Sequence, residues 1–193
     1  MQLETDRTRI QPLDIHLLKG LQSYYLRNAA HLDQWEPERP VHFHSTDSWH
    51  KRFKIDKAEM KAGRSLKWVA LEPDSDRVIG VCNFTQIFRG PFQSGTLGFS
   101  VDASRQGQGL MYEVTDRTLQ FMFEKVGLHR IAATHMPTNR RSAQLLERLG
   151  FEQEGIAPAY LKIAGRWETH VLRAKLNPAD LPVSQITSVT GSS

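Results

Sequence analysis

The chain has 193 residues, 39% hydrophobic and 24% charged, with a formal net charge of +4 and a single cysteine. That length suits one domain with a sizeable buried core. The lone Cys82 excludes an internal disulfide framework and reads as a packing residue. No apolar run is long enough to span a bilayer and no charged-then-apolar leader opens the sequence, so a cytoplasmic protein is expected.

In chain order, a first strand is expected near residues 7–13, then helical segments near 14–29 and 47–62. The stretch 47–67 holds seven Lys/Arg against three Asp/Glu, which equals the whole positive excess. Within it Trp49, Phe53 and Met60 can share an inner helical face while Lys54, Lys57 and Lys61 line the outer one. Such a face is either simply solvated or favours the negative potential of a ribosome or of phosphates. No nucleic-acid fold motif accompanies it. Strands follow near 66–72, 77–87 and 95–102, and a helix over 107–126 carries Leu110, Val114, Phe121 and Met122 on a broad apolar face. A strand at 129–135, a helix at 139–149 and strands near 152–161 and 167–176 complete the pattern. This order predicts an α/β fold: a mixed central sheet of seven strands with helices on both faces, in a single domain over residues 1–177. Residues 178–193, rich in Ser, Thr and Pro without periodicity, are expected to form a mobile tail.

The most informative local feature is Arg105-Gln106-Gly107-Gln108-Gly109-Leu110, between an extended apolar run and a long amphipathic stretch. A Gly-x-Gly turn opening a helix cradles phosphate, because the first helical N–H groups lack partners and the helix dipole favours an anion there. A dinucleotide fingerprint would need a third glycine where Tyr112 stands, and no Gly-Lys-Ser/Thr follows to make a P-loop. Downstream come Asn139-Arg140-Arg141-Ser142-Ala143-Gln144-Leu145 and Leu149-Gly150-Phe151. His42, His44 and His50 lack a Cys or a spaced carboxylate to complete a metal set, so no metal is expected.

The pairing of this glycine loop with a later Asn-x-x-Ser-x-x-Leu helix closing on Gly-Phe resembles the GNAT N-acetyltransferases, which bind acetyl-coenzyme A. The first loop position is Ser104 rather than the Gln or Arg of the pattern. Trp35-Glu36-Pro37, Asn83-Phe84, Arg89-Gly90, Gly109-Leu110-Met111 and Tyr160-Leu161 with Gly165 and Trp167 further resemble the RimJ group of N-terminal protein acetyltransferases, over roughly residues 3–177. That resemblance implies acetyl transfer to the N-terminal alanine of small-subunit ribosomal protein number five. Related branches acetylate polyamines or antibiotics on the same scaffold. A ribosome-assembly module using the basic segment is a reading from a different class.

By the same resemblance, the strands at 95–102 and 129–135 splay apart to admit the pantetheine arm beside Phe99, Ser100 and Val101. Backbone amides of Gln106, Gly107, Gln108, Gly109, Leu110 and Met111 hold the pyrophosphate, with Arg105 near it. Asn139 either reaches the pantetheine or caps its helix, and Leu145 belongs to the same motif. Ser142 is the candidate proton donor to the departing thiolate, with Tyr160 as the alternative acid and a possible wall of the peptide site. The related RimL branch uses a Glu in the late strand region, where Leu161 stands here. Glu36 is therefore the substitute for binding the ammonium and accepting its proton through water, and Trp35 and Asn83 complete the expected acceptor site.

An α-amino group with a pKa of about 7.7–8.0 is neutral to roughly a tenth at pH 7, whereas a lysine amine is neutral to only a few parts in ten thousand. An N-terminal acetyltransferase thus needs a weak base, and positioning of amine and thioester supplies much of its rate.

Overall fold

The computed structural model describes residues 1–181. Eight strands form one sheet in the order β1 (Leu3–Thr5), β2 (Thr8–Pro12), β3 (Leu66–Leu71), β4 (Val78–Phe88), β5 (Ser94–Val101), β6 (Arg130–His135), β8 (Arg166–Leu176), β7 (Glu152–Ile163). The helices are α1 (Leu18–Arg27), α2 (Ala29–Leu32), α3 (Thr46–Lys61), α4 (Leu110–Glu124) and α5 (Arg140–Arg148).

Alternation along the strands divides the core into two. On β3, Trp68 and Ala70 face a cluster shared with Leu110, Val114 and Met122 of α4, whereas Val69 and Leu71 face one built with Tyr24 of α1 and Trp49 of α3. On β4, Cys82 and Phe84 join the α4 cluster and Val81 the α1 cluster. Leu97 on β5 and Ile131 and Ala133 on β6 also face α4. Helices therefore cover both faces, as the mixed order of elements implies.

Three sequence expectations change in detail. The sheet has eight strands rather than seven, because Leu3–Thr5 pairs with β2 as a three-residue edge strand too short to show a period. The helical segment near 14–29 is broken into a 3-10 turn (Ile15–Leu17), α1 and α2 at Asn28, whose buried side chain accepts from the Ala103 N–H at 2.9 Å. The helix placed at 107–126 starts at Leu110, since Gly107 and Gly109 hold φ values of 72° and 76° in the left-handed region. Residues 178–180 form a 3-10 turn, and the rest of the expected tail, 182–193, lies outside the described residues.

One junction positions the site. β5 and β6 form the parallel pair of the sheet, and their pairing ends at Leu97↔Ala133 although β5 continues to Val101 and β6 to His135. Beyond that point the strands diverge. The β6-facing edge of Gly98–Val101 is left without a strand partner, at the mouth of the gap.

Candidate active site

A cleft of about 1170 Å³ opens at this divergence, at the upper end of what a large cosubstrate and a second reactant require. Phe99, Ser100 and Val101 line it from β5, and Thr134 and His135 from β6. The cofactor-binding residues expected from sequence converge here: Arg105, Gln106, Gly107, Gly109, Leu110 and Met111 from the turn, then Asn139, Ser142 and Leu145 from α5. Gln108 does not line the cleft. Its side chain turns back to the Ser104 carbonyl at 3.0 Å, and its own carbonyl accepts from Arg7 at 2.9 Å.

The turn is held from several sides. Gly109 occupies the N-cap position of α4 with no side chain to cap it, so the first amides of the helix point outward as donors. Just upstream, the almost fully buried Asp102 carboxylate accepts from the Ser104 N–H at 3.1 Å and from its hydroxyl at 2.8 Å. It also accepts from Arg27 Nε at 2.7 Å. Burial alone would raise this carboxyl, but the hydrogen bonds from Ser104 and Arg27 outweigh it and hold it at about 2. Ser104, the departure from the family pattern, thus fastens the loop to its own anchor. Arg105 is drawn to Glu72, 2.6 Å away, and lowers that carboxyl.

Gln106 bridges the two sides of the cleft: its Oε1 accepts from Arg141 of α5, and its Nε2 lies 2.7 Å from the His31 ring. Among the described residues Arg105, Arg140, Arg141 and Arg148 border the cleft, with Glu36 and Glu147 as its carboxylates. Glu147 is already paired with Arg173 at 2.6 Å and Arg105 with Glu72, which leaves Arg140, Arg141 and Arg148 against Glu36. The field in the cleft is therefore positive, suited to phosphates.

Asn139 caps α5, its Oδ1 accepting from the Ser142 N–H at 3.1 Å, which leaves its amide NH₂ available toward the cleft. The half-buried Ser142 lines the cleft with its hydroxyl unengaged by any described residue. On the opposite wall stand Tyr25, Trp35, Glu36 and Asn83. Glu36 Oε2 accepts from Arg39 at 2.7 Å, and the Glu36 carbonyl receives the Ala164 N–H, which docks this loop on the β7–β8 turn. Tyr160 is not brought into the cleft. It is 45% exposed on β7 and approaches only through His170, their ring centroids 5.7 Å apart.

Tyr24, Tyr25, His31, His135 and His170 take part in the cleft or its support without a local sequence signal. The Tyr24 hydroxyl, held protonated by deep burial, shares a 2.9 Å hydrogen bond with Ser100. His135 is buried and shifted downward by desolvation; Nδ1 donates to the Met136 carbonyl at 2.9 Å and Nε2 accepts from Arg173 Nε at 3.1 Å. Cys82, fully buried against Thr118 at 3.1 Å, is pushed up to about 12 by burial and is a packing residue rather than a nucleophile. Among the described residues no group of His, Cys, Asp and Glu could hold a metal ion.

The sequence matches the acetyltransferase (GNAT) domain family over residues 7–152. It is 37% identical over 178 residues to the [ribosomal protein uS5]-alanine N-acetyltransferase of Escherichia coli (strain K12), covering 92% of each chain. Its structure is similar to that of a ribosomal-protein-S5-alanine acetyltransferase from Vibrio fischeri, with a TM-score of 0.89, 32% identity and coverage of 94% of this chain and 100% of the other. It also resembles Mycobacterium smegmatis RimJ in complex with CoA-disulfide, with a TM-score of 0.84, 27% identity and coverage of 95% and 89%. A glycine turn at the mouth of a splayed parallel strand pair, on a chain matched along most of its length, leads to one conclusion: this protein belongs to the GNAT acetyltransferase family.

Proposed function

We propose that this chain transfers acetyl from acetyl-coenzyme A to the N-terminal alanine amine of ribosomal protein uS5, by direct attack within a ternary complex. The observation that carries the reading is the shape and charge of the cleft: an arginine-bordered entrance beside α4 and α5, and an opposite wall of Tyr25, Trp35, Glu36 and Asn83. The amides of Gly107, Gly109, Leu110 and Met111 hold the pyrophosphate, and Arg141 supplies further positive charge. The free β5 edge at Phe99, Ser100 and Val101 bonds the pantetheine arm. Glu36, partly neutralised by Arg39, holds the incoming ammonium through its remaining oxygen, and Ser142 gives a proton to the departing thiolate. The Escherichia coli relative acts on the alanine of uS5, and the resemblance extends over nearly all of both chains.

A polyamine acceptor is disfavoured by the scarcity of carboxylates in the cleft. The basic segment contributes less free charge than its composition indicates. Lys57, Arg64 and Lys67 pair with Asp14, Glu59 and Asp56, and Arg52 lies over the Phe43 and Trp49 rings. Lys51, Lys54 and Lys61 remain as exposed contacts for ribosomal phosphate.

The test uses two peptides containing lysine, one with a free N-terminal alanine and one N-terminally blocked, incubated with acetyl-coenzyme A and mapped by mass spectrometry. Acetyl on the alanine amine alone is expected. Acetyl on lysine, or on neither peptide while spermidine is acetylated, overturns the assignment.

A further inference from the structure

We infer that His170 is the general base of this site, with Nε2 as the atom that takes the proton from the acceptor amine; the inference rests on the amine-acetylation reading above. Strand parity places the ring. Ala133 faces α4, so Thr134 points to the opposite face of the sheet; Thr134 pairs with Leu172 on β8, and alternation puts His170 on the Thr134 side. Val81 and its neighbour two residues on, Asn83, occupy that face too, as does Ser100, which pairs with Val81 and is hydrogen-bonded to Tyr24. The phosphate turn and Ser142 approach the cleft from the α4 and α5 side. His170 therefore meets it from the side of Glu36 and Asn83, where the acceptor enters.

The tautomer is fixed by geometry. His170 Nδ1 lies 3.0 Å from the Glu168 carbonyl oxygen, which can only accept, so Nδ1 carries the ring proton and the neutral ring presents a lone pair at Nε2. No described residue hydrogen-bonds that nitrogen, although His170 is only 4% exposed and borders the cleft. Of the other two cleft imidazoles, His135 has both nitrogens engaged and cannot serve, and His31 is held against Gln106 Nε2 at 2.7 Å, beside the phosphate turn. The Glu36 carboxylate is committed to Arg39 and suits anchoring of the ammonium better than removal of its proton. The titratable groups around the ring are Tyr160 on β7, His135 on β6, Glu168 on its own strand and Glu36 across the cleft.

The step balances. The acceptor nitrogen starts as an ammonium with three protons and ends as an amide with one. His170 Nε2 takes the first proton and releases it to solvent. The freed lone pair forms the C–N bond, the C–S bond breaks, and the second proton reaches the thiolate through the Ser142 hydroxyl.

Two variants test the assignment. H170N keeps a donor near Nδ1 and deletes the base, whereas H170Q keeps a polar group near Nε2 without a basic ring. With the wild-type chain first shown to acetylate the alanine peptide, both variants are expected to lose about 100-fold in kcat at pH 7. The KM for acetyl-coenzyme A should stay unchanged, which establishes folding and cosubstrate binding. The loss should shrink as pH rises past the amine pKa of about 8, where solvent deprotonates the acceptor. Near wild-type turnover in either variant, or a loss equal at every pH, overturns the assignment of His170 alone. A wild-type chain that binds coenzyme A and acetylates no alanine peptide overturns the acceptor reading and, with it, the role of the base.

Discussion

Replacing Asp102 by Asn perturbs the anchor of the phosphate turn without changing its size. The carboxyl is lowered from its usual 3.8 to about 2 in the folded chain, and a pKa unit is worth 1.36 kcal/mol, so the charged form contributes roughly 2 kcal/mol. Because the folded value lies below the unfolded one, this stability is present above about pH 4 and is lost as pH falls toward 2. D102N also leaves the Arg27 guanidinium without its 2.7 Å partner, so the loss at pH 7 should be at least of that size. For a chain of this length a loss of 2 kcal/mol lowers Tm by roughly 4–8 °C. Urea unfolding of both proteins at pH 7 and pH 3 measures it, with a gap that narrows at the lower pH. The KM for acetyl-coenzyme A should rise together with the stability loss, since Asp102 holds Ser104 at the entry to the turn. Equal stability at pH 7, or a gap that does not narrow on acidification, would mean that the Asp102 carboxylate does not stabilise the turn through its charge.

Two further substitutions separate binding from chemistry. At Gly109 an added Cβ would meet only the tip of Arg7 at 3.7 Å, so G109A costs the left-handed strain of about 1–2 kcal/mol; titration with coenzyme A should show several-fold weaker binding, and an unchanged affinity would contradict the turn's assigned role. S142A should lower kcat by about 100-fold at saturating substrates while leaving the KM for acetyl-coenzyme A within about twofold; a rise in KM with kcat unchanged would reassign Ser142 to binding.

The parts of the site legible in sequence are those built by neighbours in the chain. The glycine turn shows itself because left-handed φ values at Gly107 and Gly109 have a local cause, and Asn139 because a helix cap is satisfied three residues away at Ser142. The acceptor wall is different. His170 reaches the cleft through strand parity carried from β6 to β8, and Tyr24 through a hydrogen bond to Ser100, 76 positions along the chain. Asn28 breaks a helix that propensity would continue, because its side chain is needed at Ala103. Tyr160 has the composition of a site residue, yet its strand register leaves it behind His170.

The acceptor is established most directly by the tandem mass spectrum of purified uS5, bearing a free N-terminal alanine, after incubation with this protein and acetyl-coenzyme A. One acetyl group is expected, on the alanine nitrogen, formed at a rate that depends on enzyme concentration. Unmodified uS5 under conditions where a small amine is acetylated, or acetyl confined to lysine side chains, would contradict it.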